Sequence, residues 1–129
     1  MGIWILMLCV NLLIPAAMVG FGRWFLQGGP QDINRGIGYR TSMSMKNKDT
    51  WVFAHQEIGR LWSKWGTALL AATVAGMLSL LGKDEDMIAN AGSILMFAQM
   101  IPLIGCIFPV ERKLRDTFDE DGNRKAAGG

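Results

Sequence analysis

The chain has 129 residues, a formal net charge of +2 and an apolar half that includes nine Met and five Trp. That length gives one domain, 1–129. Charged residues make up only 19% of the chain and are clustered, which excludes an ordinary water-facing surface and gives no basis for direct nucleic-acid binding.

Three stretches are almost free of charge: Ile3–Gly22, Trp65–Gly82 and Met87–Val110. Crossing ~30 Å of hydrocarbon takes roughly 20 helical residues, so each is long enough. A soluble bundle would need a charged face on every helix, and these have none. The expected fold is an all-α membrane protein with three transmembrane helices at about 3–26, 63–82 and 87–110. A cleaved signal peptide is not expected at the first stretch, because no basic segment precedes it and Trp24-Phe25 follows as an interfacial pair. Met1-Gly2 lacks the Ser or Thr that myristoylation requires.

In the first helix, Pro15 removes one backbone hydrogen bond and predicts a bend near Leu12–Pro15. Asn11 should face another helix, where it acts as polar glue. Ala16 and Gly20 form a small-xxx-small pair suited to close helix contact. Cys9 and Cys106 fall in different spans and at different depths, so a disulfide is not expected.

Gly28-Gly29-Pro30 breaks the first helix. A motif loop follows over 28–50, with Gly36 and Gly38 as its flexible points. From about Asp49 a helical period returns: Trp51, Ala54, Ile58, Leu61, Trp62 and Trp65 make one apolar stripe. This amphipathic juxtamembrane helix has Ser44, Asn47 and Asp49 as competing N-caps. It either continues into the second span or bends at Gly59 or Gly66. The second span carries Ala68, Ala72, Ala75, Gly76 and Ser79 along one side, a face for close packing. In the third, Pro102 predicts a kink and Gln99 a hydrogen bond to a neighbour. The tail, 111–129, reads as one more helical turn and then disordered residues.

Charge placement gives orientation. The segment from Arg23 to Lys64 holds Arg23, Arg35, Arg40, Lys46, Lys48, Arg60 and Lys64, and Arg112, Lys113, Arg115, Arg124 and Lys125 follow the third span. Only Lys83 lies in the second connection. Basic residues concentrate on the cytoplasmic side, so the N-terminus is expected outside and the motif loop and C-terminus inside.

No catalytic constellation is legible. His55 is the single His, no metal-ligand pair sits at helical spacing, and "GIGYRT" lacks the Lys and second Gly of a phosphate loop. No intramembrane carboxylate or Arg marks an ion or proton pathway. An enzyme, a metal site and a cofactor are therefore not expected, and a transporter component is a weak alternative.

What remains is a pattern in the loop. Pro30, Asn34, Gly38-Tyr39-Arg40-Thr41, Ser44, Trp51, Ala54-His55 and Gly59-Arg60 resemble the signature of the SdpI family of bacterial membrane proteins over about residues 28–65. Ser42 departs from it, since many members carry Pro there. The resemblance implies immunity to a secreted peptide toxin, or membrane signalling through a cytoplasmic DNA-binding repressor. It places the partner- or lipid-binding residues at Asn34, Gly38, Tyr39, Arg40, Thr41, Trp51, His55 and Arg60. Physical chemistry adds roles to several of these. Gly38 allows a positive φ, and Arg40 pairs with Asp49, Glu57 or a lipid phosphate. Tyr39 and Trp51 suit the membrane interface, and a lone His on a helix is more often a structural hydrogen-bonder than a pH sensor. A small scaffold binding anionic lipid or another membrane protein is the first alternative function.

Overall fold

The computed structural model describes residues 2–34 and 36–125. Four helices account for most of them: α1 (Gly2–Leu26), α2 (Lys48–Ser79), α3 (Glu85–Gly105) and α4 (Ile107–Thr117). α1 is a single helix that runs through Pro15, and it stops where Gly28 and Gly29 take positive φ. α2 is continuous through Gly59 and Gly66. Its start is fixed by a reciprocal cap: Asn47 Oδ1 accepts from the Thr50 N–H, and Thr50 Oγ1 accepts from the Asn47 N–H. Such caps contribute about 1 kcal/mol, and this one resolves the choice among Ser44, Asn47 and Asp49. α3 starts on Asp84, whose side chain accepts from the Met87 N–H, and Glu85 and Asp86 in its first turn suit the helix dipole.

The α3–α4 arm is interrupted only at Cys106. The helix continues through Pro102, and at the break the carbonyl of Gly105 lacks its usual helical donor, because Pro109 has no N–H. Two stretches, Gly2–Leu26 and Glu85–Thr117, are long and apolar enough to cross a membrane. Many of their large apolar side chains point outward, among them Leu13, Ile94, Phe97, Ile101 and Phe108, each 65–73% exposed. The core helix of a water-soluble protein would bury such residues. α2 does not reach the same hydropathy over its length, because its first half is amphipathic and it ends at Ser79.

α1 lies antiparallel along α2. At one end the Trp4 Nε1–H donates to Met77 O (2.6 Å). At the other, Gly22 and Gly59 meet so closely that a Cβ on Gly59 would stand 2.8 Å from Gly22 O. Gly66 meets Met18 and Val19 in the same way, with a Cβ at 2.9 Å from each. The close-contact seam is therefore Gly22, Gly59 and Gly66. Ala16 and Gly20 face outward instead, as do Ala68, Ala72, Ala75 and Ser79. Small residues permit close approach but do not demand it, so their spacing did not identify the packed face.

The polar residues of the spans meet one another. Asn11 Nδ2 donates to Gly92 O (3.1 Å), and Gln99 Nε2 donates to Asn11 O (2.8 Å) and Thr73 Oγ1 (2.7 Å). All three side chains are buried. The Asn11 carbonyl needs this help. Its normal helical donor, four residues on, is Pro15, which has no N–H. Gln99 thus repairs across the bundle the bond that Pro15 removes, and α1 continues as one helix.

Beyond the spans a second core forms from Phe25, Tyr39, Ala54, Ile58, Val110, Leu114 and Phe118. α4 supplies Val110 and Leu114, and its C-cap Phe118 follows at the next four-residue step, one apolar face against α2. The segment after Val110 is thus helical to Thr117, longer than the single turn expected, and residues 118–125 fold back. Asp119 N donates to Asn123 O, Lys125 N to Thr117 O, and Gly122 takes a positive φ. Arg124 makes a bidentate pair with Asp49, both bonds 2.9 Å, and Asn47 Nδ2 donates to Gly122 O. Residues 126–129 lie outside the described chain.

Candidate functional site

The motif loop folds onto the N-terminal half of α2, and its centre is His55. The ring is buried, with Phe25 edge-on at 4.8 Å between centroids and Trp51 at 4.3 Å. The Tyr39 N–H donates to Nε2 (2.9 Å). Nε2 is therefore the unprotonated nitrogen, and Nδ1–H donates to the Trp51 carbonyl (2.7 Å). Burial pushes the imidazole pKa below its ordinary value, against a smaller opposing effect of the Trp51 carbonyl. Both nitrogens are engaged in the neutral ring, so His55 is a structural hydrogen-bonder with no lone pair left for a metal or a substrate proton. Among the described residues, no group of three or more His, Cys, Asp or Glu is placed to hold a metal ion.

Gly38 is required by what surrounds it. Its φ is +115°, and a Cβ there would stand 2.7 Å from His55 Nε2, 3.0 Å from Pro30 Cγ and 3.2 Å from Trp51 Cη2. Gly36, the other flexible point of the loop, has only Asn34 Oδ1 near a hypothetical Cβ, at 3.9 Å. Trp51 is fully buried, and its Nε1–H donates to the Pro30 carbonyl (2.6 Å), pinning the loop entrance.

Tyr39 is wedged between α2 and α4. Its hydroxyl donates to Glu111 Oε1 (2.7 Å). Burial first, then the hydrogen bond and charge of Glu111, push the phenol far above its ordinary pKa. Tyr39 and Trp51 are therefore core residues of the protein and not interfacial anchors. Apolar aromatic faces and one polar tip serve either position equally well. Thr41 and Ser44 close the next turn reciprocally: the Thr41 N–H donates to Ser44 Oγ (2.8 Å), and the Ser44 N–H to Thr41 Oγ1 (3.2 Å).

Asn34 shapes the outer end of the loop. Its Oδ1 accepts from the N–H groups of Gly36 (2.9 Å) and Ile37 (2.7 Å), the local bonding for which Asn is favoured in turns. Its carbonyl accepts from Arg40 Nε (3.0 Å). Arg40 therefore pairs with neither Asp49 nor Glu57. Asp49 is held by Arg124, while Glu57 Oε2 takes both Arg60 and Lys113, the latter at 2.9 Å. Arg60 stands apart from the loop on the exposed face of α2.

The structure thus brings Gly38, Tyr39, Trp51 and His55 together, joins Asn34 to Arg40 and Thr41 to Ser44, and separates Arg60. Glu111 and the clasp of Asn47, Asp49, Gly122 and Arg124 were not singled out from the sequence as parts of the site. The Val110/Leu114/Phe118 repeat was the signal that could have placed the tail beside α2. A cleft of about 200 Å³ opens beside the loop, lined by Phe25, Pro30, Gln31, Lys48, Val52 and His55 among others. The outward surface of the loop carries Ile33, Ile37 and Arg40, all exposed.

Helices with lipid-suited outer faces and a folded, polar loop packed on their extension define a helical membrane protein with a structured juxtamembrane element. The family model for the SdpI/YfhL protein family matches residues 31–110, and the chain belongs to that family. No curated protein and no solved structure shows significant similarity to it.

Proposed function

We propose that this is a three-span protein of the bacterial cytoplasmic membrane, non-enzymatic, that confers immunity to a secreted peptide toxin or signals through a cytoplasmic partner. The third span rests on geometry. α1 and α2 touch from Trp4–Met77 to Gly22–Gly59. If α1 crosses the bilayer, residues 59–77 of α2 cross beside it, a length of ~27 Å at ~1.5 Å per residue. The positive-inside distribution puts the N-terminus outside and the motif loop and tail in the cytoplasm.

One observation carries the functional reading. The loop is fixed by buried bonds through Gly38, Tyr39, Trp51 and His55, while Ile33, Ile37 and Arg40 face outward. A fixed loop presenting an exposed cation between apolar side chains is suited to holding a partner, such as a DNA-binding repressor kept at the membrane. The test is Arg40→Ala, which touches no core contact. It should leave membrane insertion intact and abolish protection against the killing peptide or recruitment of the partner. Full protection by the inserted variant would remove the loop from the function. Orientation is tested by Ser42→Cys in a chain lacking Cys9 and Cys106. Labelling from the outside would overturn the topology.

A further inference from the structure

On the outer face of the bundle α2 and the α3–α4 arm leave an apolar groove of about 350 Å³, lined by Leu61, Trp65, Ile101, Pro102, Gly105 and Pro109 among others. Among the described residues nothing fills it at Gly105, where an added Cβ would meet no neighbouring side chain within 4 Å. One helical turn beyond Leu61 is Glu57, and one turn beyond Pro109 is Lys113. These two join in an ion pair of 2.9 Å, so the pair closes one end of the groove. Arg60 shares the same carboxylate. Two cations on one anion leave that end with a net positive charge, and the exposed Lys64 adds to it. In the topology proposed above this end lies at the cytoplasmic headgroup level.

We infer that the groove is a binding site for an anionic phospholipid of the inner leaflet, with an acyl chain against Gly105 and the headgroup phosphate at Lys113 and Arg60. The occupant follows from the two ends of the groove. Its walls are hydrocarbon, its open side faces lipid, and its charged end is matched by a phosphate that lacks a compensating ammonium. This inference rests on the membrane topology proposed above.

The test uses the full chain in vesicles of equal phosphatidylglycerol and phosphatidylcholine, extracted in mild detergent, with retained lipid counted by native mass spectrometry. One uncompensated basic residue at a membrane surface favours an anionic lipid about fivefold, and the wild type should retain phosphatidylglycerol by at least that margin. Lys113→Gln should lower the ratio about fivefold. Glu57→Gln should raise it about fivefold further, because it releases both cations; a purely structural ion pair predicts no such gain. Gly105→Leu fills the groove and should lower retention of both lipids. Equal retention by the wild type, a ratio unmoved by either charge variant, or full retention by Gly105→Leu overturns the site. Should Gly105→Leu fail to fold, the two charge variants decide alone. Alkaline carbonate extraction separates the premise from the proposal: a chain released by carbonate refutes the membrane reading, while one that stays inserted and retains no lipid refutes only the site.

Discussion

Substituting Gly38 by Ala strikes the loop at the point where its conformation and its packing are both fixed. The φ of +115° lies in a region that L side chains rarely adopt, and holding one there costs about 1–3 kcal/mol. The new methyl would stand 2.7 Å from His55 Nε2 and 3.0 Å from Pro30 Cγ, and overpacking of this kind costs a further 1–3 kcal/mol or so. Nε2 is also the acceptor for the Tyr39 N–H, so relief of the clash by moving the ring leaves a buried donor without its partner. Taking about 4 kcal/mol from the centre of the first two ranges, loop opening becomes easier by roughly a thousandfold, at ~1.4 kcal/mol per decade. Amide hydrogen exchange at Tyr39 in detergent micelles reads this directly. Exchange should accelerate by two to three orders of magnitude, while amides of α3 keep their protection. Gly36→Ala should leave the same amide unchanged. Unaltered exchange at Tyr39 in Gly38→Ala would show that the loop does not depend on the contact with His55.

Tyr39→Phe removes the hydroxyl that donates to Glu111. It should cost about 1.5 kcal/mol, the low end for a bond to a charged group, read as a loss of protection at the loop and α4 but not at α1. Acid should loosen the same region, because burial holds the His55 pKa below its unfolded value. The unfolded chain then binds a proton that the folded ring does not, so stability is full above about pH 6.5 and falls as pH drops below it. His55→Gln should weaken the loop at neutral pH and flatten that dependence; an equally steep pH profile in the variant would assign it to another group. Gln99→Leu should orphan the Asn11 carbonyl in a region without water. A loss of about 1 kcal/mol in unfolding of the spans is expected, whereas a change confined to the loop would refute the repair of Pro15 by Gln99. Arg124→Ala should release the tail, seen as faster exchange at the Lys125 amide in low salt, with the spans unaffected.

The residues that could be read from the sequence are those whose chemistry admits one environment. Asn11 and Gln99 in apolar runs had to face other helices, and they do. Gly38 was legible as a positive-φ position because only Gly sits there without strain. His55, alone among apolar neighbours, was more readily a hydrogen-bonder than a sensor. Legibility failed where a residue type is at home in two places. Tyr39 and Trp51 suit a headgroup layer and a protein core equally well; α4 decides for the core at Tyr39, through Glu111, and the folded loop decides at Trp51, through Pro30 and Gly38. Ala16, Gly20, Ala68 and Ala72 suit a packed seam or lipid, and only the meeting of Gly22 with Gly59 shows which face is used. The tail was hidden because its charge count suggests disorder, although Val110, Leu114 and Phe118 recur on one face.

The same distinction bears on where function lies. Of the eight candidate residues, Gly38, Tyr39, Trp51 and His55 are consumed by mutual contacts, and Asn34 and Thr41 by turns of the loop. Their fixed spacing therefore has a sufficient cause in folding, without reference to any ligand. Arg60 is engaged by Glu57. Arg40 alone among the eight makes its one side-chain bond to a backbone carbonyl and leaves the rest of its guanidinium exposed. In the function proposed above, a loop that spends most of its defining residues on holding itself rigid would present Arg40, flanked by Ile33 and Ile37, to the partner, and it is on Arg40 that this reading stands or falls.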